Sequence, residues 1–377
     1  MTAPTLSAIR PDPAWRELRE QVRGFLADEL AAKRFEPGID GWLTGWSDEF
    51  SQALAKHGWV GMTIPREYGG HGRSHFERFV VTEELLVAGA PVAAHWIADR
   101  QVAPSLLRHG TEEQKKELLP AIAAAECTFA IGMSEPDSGS DLASVRTRAV
   151  PVDGGWLLNG TKVWTSGAHH ADKILVLART SGNHGDRHHG LSQLIVDLAA
   201  PGVEVSPILS LDGGHHFNEV VFTDCFVPAE DLLGSEGQGW KQVTEELGFE
   251  RSGPERFLSA ALLVRLLIEH VARGVISPEP ELGRFLARLH GLHQMSLSVA
   301  AALDRGEKAD AAAAMVKMLG TATEGDLVEF ADYLAGTVPG PLRDAVAWAT
   351  VQRPGFTLRG GTNEVLAGVI ARGLGLR

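Results

Sequence analysis

Apolar residues recur at helical spacing through the first third of the chain. Pro13-Ala14-Trp15-Arg16-Glu17-Leu18 opens an amphipathic pattern continued by Val22, Phe25 and Leu26. A second helix is predicted over Asp48 to His57, where Gly58 stops it, and Pro65 to Gly72 is a loop by composition. Helical periodicity returns over Phe76 to Ala88 and Ala94 to Gly110. Thr111 and Gln114 then form a capping-box pair at the next helix start. Between about 128 and 235 the period changes to two. Trp156 to Thr161 predicts a strand and a tight turn at Asn159-Gly160. Lys173 to Leu177, Leu191 to Asp197, Val203 to Ile208 and Glu219 to Phe222 are further strands. From Gly237 the pattern is helical again, over Phe257 to Val271, Glu281 to Leu303, Ala309 to Leu334 and Pro341 to Val351. Long antiparallel helices with short connections predict a bundle. An order of helical, β and helical segments without an αβαβ rhythm points to an α+β fold. The expected domains are 1–127, 128–236 and 237–377.

Composition changes this picture little. The 377 residues suffice for two or three structural units, with 44% hydrophobic and 22% charged residues. The net charge of -13 argues against a nucleic-acid surface and against docking on an anionic membrane. It leaves room for a local basic patch that takes a phosphorylated substrate. No uninterrupted apolar run approaches a membrane span, and Met1 to Arg10 lacks the apolar core of a secretory signal. Cys127 and Cys225 have no metal-like spacing, and two cysteines argue against a disulfide framework, so a reducing cytoplasm is the expected location.

Two short segments carry candidate chemistry. Ile131 to Ser140 reads Ile-Gly-Met-Ser-Glu-Pro-Asp-Ser-Gly-Ser, followed by Asp141, and Trp164-Thr165-Ser166 sets an indole beside two hydroxyls. Hydroxyls and backbone N–H groups that bond ring and phosphate oxygens, with an indole over a ring face, suit a flat aromatic cofactor carrying phosphates. Each segment also has an ordinary reading. Ser138-Gly139-Ser140-Asp141 is a fair helix cap or turn, and Trp164 a half-buried strand aromatic.

Five motifs in order carry a resemblance: Ile64 to Gly70, Gly110 to Lys115, Ser134 to Asp141, Asn159 to Ser166, and Gly360-Gly361-Thr362-Asn363-Glu364. With the helical, β, helical layout, the chain resembles the acyl-CoA dehydrogenase family over nearly its whole length. The resemblance implies a helical N-terminal domain, a β-barrel-like middle domain and a C-terminal four-helix bundle. It implies FAD as cofactor, contacted by Ile131, Met133, Ser134, Gly139, Ser140, Trp164, Thr165, Ser166, Gly361, Thr362, Asn363 and Glu364. Ser140 also approaches the substrate. An acyl-CoA is the implied substrate, an electron-transfer flavoprotein the implied acceptor, and a homo- or hetero-oligomer (dimer or tetramer) the implied assembly.

The chemistry so implied needs a carboxylate that removes the proton α to a thioester while the flavin takes hydride from the β carbon. Many members of the family place that base just before the C-terminal Gly-Thr motif, where this chain has Gly360. Gly360 keeps only its backbone N–H, a donor for the thioester oxygen. Some members place the base on a bundle helix in a Glu-Arg pair, which Glu255-Arg256 matches. Arg256 then orients the carboxylate or contacts the flavin or substrate; an ordinary surface ion pair is the plain alternative. Glu250-Arg251 competes with this pair. Five residues apart, the two glutamates lie about 140° apart on a continuous helix, so Gly253-Pro254 must break it. Ser252 and Glu255 also read as a capping box.

Other motifs of the family are reduced. Ser277 to Arg284 occupies the place of a flavin-reaching Arg-x-x-Phe-Gly segment, His293-Gln294 echoes a His-Gln pair, and a Gly-rich segment survives as Leu334-Ala335-Gly336. His169-His170, His184, His188-His189 and His215-His216 lack one-face spacing, and no metal is expected there. Arg100 has two equal readings: a place on a helix that approaches the active site, or a buried or surface ion pair with Asp99 or Glu84. Three functions follow from the resemblance. The first is FAD-dependent α,β-dehydrogenation of an acyl-CoA. The others are a subunit of a hetero-oligomeric dehydrogenase without a complete site, and a flavin monooxygenase. Retention of Glu255 favours dehydrogenation over the monooxygenase reading.

Overall fold

The computed structural model describes residues 12–182, 186–251, 253–307, 309–336 and 340–376, and for 247–250 the backbone alone. Two units form. One comprises Met1–Gly45, Ser74–Pro91 and Leu247–Arg377, the other Trp46–Arg73 and Val92–Glu246.

The first unit is helical. Pro13–Ala31, Pro280–Asp304 and Pro341–Phe356 each begin with proline at a first position, where the missing N–H has no intrahelical partner to lose. Asp12 caps the first of these by accepting from Ala14 N–H at 2.8 Å. His75–Val87 begins in a capping box between Ser74 and Glu77. Ala261–Ala272, Asp310–Ala335 and Asn363–Gly373 complete the main helices. The core joins Leu263, Leu267, Leu327, Val328, Val346 and Phe356, with Ala331 and Ala349 allowing close helix approach. Glu83 and Glu84 are buried here against basic side chains: Arg19 and Arg23 bind Glu84, and His293 reaches Glu83 at 2.5 Å.

The second unit holds the sheet. Its strands are β1 (Phe129–Gly132), β2 (Arg148–Val152), β3 (Gly155–Ser166), β4 (Lys173–Arg179), β5 (Leu191–Asp197), β6 (Val203–Leu209), β7 (His215–Pro228) and β8 (Leu232–Leu233). Their order is β6-β7-β3-β2-β4-β5-β8, with β1 parallel to β4. Ile174 to Ala178 of β4 is buried on both faces, which explains its unbroken apolar run. Asp48–Lys56, Ala93–His109 and Glu112–Ala123 are helical in this unit, with a π-helical stretch at Ala98–Val102. Thr111 and Gln114 form the expected capping box. Arg100 stacks on Trp96 and lies 3.9 Å from Asp99. Among the described residues no helix is long and apolar enough to cross a membrane.

Several elements differ from expectation. Asn159-Gly160 is not a turn: β3 runs through it with a register shift. Asn159 instead bonds the backbone and side chain of Asp224, and Gly160 leaves the space Thr147 occupies. The turn is Asp153-Gly154, with Gly154 at φ +76°. Strand β7 runs far beyond Glu219 to Phe222, because the buried polar His216 and Asn218 and the exposed Phe226 break the alternation. The helix expected from Phe257 starts at Ala261. Helix Asn363–Gly373 was not anticipated.

Candidate active site

In the second unit, a buried ion pair anchors the segment after β1. Lys162 Nζ donates to Glu135 Oε1 at 2.8 Å and to the Met133 carbonyl at 3.0 Å. Glu135 also accepts from Arg146 N–H at 2.7 Å and Thr147 N–H at 2.9 Å. Burial raises the Glu135 pKa, but Lys162 and these donors outweigh it and hold the group below its ordinary value. Burial pushes the Lys162 ammonium down to about 8, against the pull of Glu135. Ser134 accepts from Val163 N–H at 2.9 Å, so 131–134 is tied directly to β3. Glu135 and Ser138 close a tight turn by reciprocal backbone bonds, and Ser138 Oγ donates to the Asp141 carbonyl. Ser138 to Asp141 is therefore a turn, and Asp141 stands at the N-cap position of the 3-10 turn Leu142–Ser144 without a side-chain capping bond. Ile131, Met133 and Ser134 are half-buried, and Gly139 and Ser140 are exposed.

A second register shift in β3, between Lys162 and Thr165, throws Trp164 outward. Trp164 has φ +59°, an uncommon conformation for a bulky residue, and its side chain is 59% exposed with its edge against Phe217. The half-buried strand aromatic expected from composition is not what forms. Thr165 is buried, and its Oγ1 has no hydrogen-bond partner among the described residues. Ser166 is half-buried at the strand end. Gly167 follows at φ +66°, where a β-carbon would meet the Trp46 ring at 2.6 Å.

The histidines beside this bulge stack on one another. His169 lies 3.9 Å from His170 and 3.8 Å from His215 between ring centroids, and His170 stacks on Trp46. Asn218 bonds both His169 and His215. Burial, then the neighbouring imidazoles, lower His169 to about 4. His188 stacks on Trp240, while His184 lies outside the described residues.

In the first unit, Gly253-Pro254 breaks the helix as expected, and Pro254–Arg256 is a 3-10 turn. Glu255 thus stands on a turn between helices rather than on a helix. It is 4% exposed, and Oε2 has no partner among the described residues. Its carboxylate packs over Gly253, in space a β-carbon would need. Arg256 is buried too, its Nε 4.0 Å from Glu255 Oε1 and its guanidinium over the Trp42 ring at 5.0 Å, which rules out a surface pair. Ser259 organises the turn. Its Oγ donates to the Glu255 carbonyl at 2.8 Å and accepts from Trp42 Nε1 at 3.0 Å. Arg359 reaches the same hydroxyl, binds both oxygens of Asp40, and lies over Trp42 at 4.6 Å. A β-carbon at Gly320 would collide with the Arg256 carbonyl, so glycine there lets helix Asp310–Ala335 touch the turn. The Glu250 side chain and Ser252 lie outside the described residues.

The C-terminal motif forms a turn in the same unit. Gly360 and Gly361 have φ +67° and +90°. Arg251 donates to the Gly360 carbonyl at 3.0 Å. The fully buried Lys317 donates to the Gly361 carbonyl at 2.7 Å and the Thr357 carbonyl at 3.3 Å. Thr362 caps the last helix, placing Asn363 and Glu364 in its first turn. Sequence reading passed over Asp40, Trp42, Ser259, Lys317, Glu324 and Arg359. One signal was available: Lys317 and Glu324 fall at core spacing with Gly320, Leu327 and Ala331 in an apolar helix.

Three family models match the chain: the acyl-CoA dehydrogenase N-terminal domain over 12–126, the middle domain over 130–225 and the C-terminal domain over 237–375. Acyl-CoA dehydrogenase FadE29 of Mycobacterium tuberculosis is 35% identical over 376 residues, covering 95% of this chain and 96% of the relative. Mitochondrial isovaleryl-CoA dehydrogenase of Pongo abelii is 33% identical over 254 residues, 66% of this chain and 60% of the relative. Among solved structures, the Tcur3481-Tcur3483 steroid ACAD is similar with a TM-score of 0.87 and 31% identity, over 98% of this chain and 99% of that one. The ChsE4-ChsE5 complex from Mycobacterium tuberculosis is similar with a TM-score of 0.82 and 29% identity, over 98% and 100%. The fold is the expected one, and the chain belongs to the acyl-CoA dehydrogenase family.

Proposed function

We propose that this chain catalyses FAD-dependent α,β-dehydrogenation of an acyl-CoA thioester, with Glu255 removing the α proton. The observation that carries the reading is a carboxylate almost out of water with one oxygen left unpartnered. Such an oxygen is ready to accept a proton once the acyl chain excludes solvent. Arg256 is the proposed orienting cation, and the Gly360 N–H the proposed donor to the thioester oxygen, where negative charge grows as the proton leaves.

The residues of the second unit fit FAD. An indole set outward by a strand bulge, with the half-buried Ser134 and Ser166, offers a face and bonding groups to a flat heteroaromatic ring. Ile131, Met133, Ser134, Gly139, Ser140, Trp164, Thr165 and Ser166 are the proposed contacts from that unit. Gly361, Thr362, Asn363 and Glu364 are the proposed contacts from the first. Bound FAD supplies the acceptor for the β-hydride, and an electron-transfer flavoprotein is the proposed onward acceptor. A cytoplasmic location is proposed with these roles.

A second reading has its own support. The similar ChsE4-ChsE5 structure is named as a complex, so this chain is proposed to work as an oligomer, either with copies of itself or with a second dehydrogenase-like chain. Anaerobic titration of the purified protein with straight-chain, branched and steroid-side-chain acyl-CoAs separates the readings. Flavin bleaching by the chain alone, abolished in Glu255→Gln, supports a complete dehydrogenase. FAD bound without bleaching points to a subunit needing its partner or to a monooxygenase. Bleaching lost only in Glu250→Gln moves the base.

A further inference from the structure

Glu324 is a buried acid with no part in the chemistry above. It lies on the core face of helix Asp310–Ala335 and is 0% exposed. Oε1 accepts Ser259 N–H at 2.6 Å, and Oε2 has no hydrogen-bond partner among the described residues. Two other buried carboxylates are better supplied. Glu135 collects Lys162 and two backbone N–H groups, and Asp40 takes two bonds from Arg359. A fully desolvated carboxylate with one donor and one bare oxygen is far less favourable than the neutral acid.

The surrounding charges do not reverse this. Arg359 and Asp40 face each other across a bidentate bond. Glu255 and Arg256 lie on the adjoining turn. Lys317, two helical turns back, is engaged by the Gly361 and Thr357 carbonyls, and Arg353 by the Gly325 carbonyl and Glu329. Burial raises Glu324 to about 7, with Arg359 and the hydrogen bonds from Ser259 opposing and Asp40 adding to the rise.

We propose that Glu324 is a positioning residue: as a neutral acid it holds Ser259, and through it the Glu255 turn, and its ionisation ends the active pH range on the alkaline side. This rests on the reading of Glu255 as base. A new buried anion would compete for Arg359, which now binds Asp40 and the Ser259 hydroxyl. It would also draw water toward a turn that keeps Glu255 dry.

The test compares wild-type holoenzyme with Glu324→Gln, an isostere that keeps the Ser259 bond and cannot ionise. Two quantities are read between about pH 5 and 9: the anaerobic flavin-bleaching rate with an active acyl-CoA, and Tm. The folded-state value of about 7 lies above the ordinary 4.5. The stability contribution of Glu324 is therefore full below 4.5 and is lost as pH rises through about 7. Wild-type Tm should fall relative to Glu324→Gln across that window, with a constant gap above it. The wild-type bleaching rate should fall on the same ionisation, while the variant stays within about twofold of its acid-side rate. Ser259→Ala should lower the rate at every pH and keep the alkaline fall. Parallel rate profiles for wild type and Glu324→Gln, or an unaffected Ser259→Ala, would overturn the proposal. Full activity in Glu255→Gln would overturn the base assignment and this role with it, while the Tm comparison would still report the buried acid by itself.

Discussion

The Glu255 carboxylate occupies the space beside the Gly253 α-carbon that any other residue would fill with a β-carbon. The base proposed here is thus positioned by the absence of a side chain two residues earlier. Pro254 and Ser259 fix the turn from its other sides.

Gly253→Ala should move the carboxylate while leaving the protein folded. A displacement near 1 Å is expected to lower kcat on the order of 100-fold with a smaller change in KM. Steady-state kinetics with an active acyl-CoA, beside far-UV circular dichroism, checks this. An unchanged kcat would mean the carboxylate's position does not matter.

Lys162 and Glu135 form the buried pair beneath the Met133-Ser134 segment. Lys162→Met leaves Glu135 charged, buried and short of its strongest partner. The expected loss is about 3–5 kcal/mol of stability, measured by urea unfolding. Weaker FAD retention on gel filtration should accompany it, because the Met133 carbonyl loses its anchor. Equal stability of the variant and the parent would contradict the role given to the pair.

The stacked imidazoles predict an acid response. His169 has a folded-state pKa near 4 against an ordinary 6.5, so its contribution is present above 6.5 and lost as pH falls through about 4. His169→Gln should therefore lose less Tm than the parent on acidification across that window, as read by scanning calorimetry. Identical acid slopes would show that the stack does not resist protonation.

Much of the helical framework is legible in sequence because its signals are local. Pro13, Pro280 and Pro341 mark helix starts, and Thr111 with Gln114 caps another within four residues. The Gly253-Pro254 break is equally local and separates Glu255 from the preceding helix. Asn159-Gly160 shows the limit of such signals. The pair is a strong turn signature, yet bonds to Asp224 and the closeness of Thr147 keep it inside a strand. Trp164 is outward because a bulge reverses its face, which no two-residue period announces. The surroundings of Glu255 are the least legible part. Asp40, Trp42, Ser259, Glu324 and Arg359 come from four separate stretches of chain, and only folding sets them around one turn. The arrival of Ser259 also explains the late helix start: its N–H goes to Glu324 and its carbonyl to Asp40.

The most direct measurement of the central claim is single-turnover bleaching of bound flavin by an active acyl-CoA, under anaerobic conditions, in wild type and Glu255→Gln. A rate loss of at least about 1,000-fold in the variant, with FAD still bound and the fold intact, is the predicted result. Bleaching at the wild-type rate in Glu255→Gln would contradict the account.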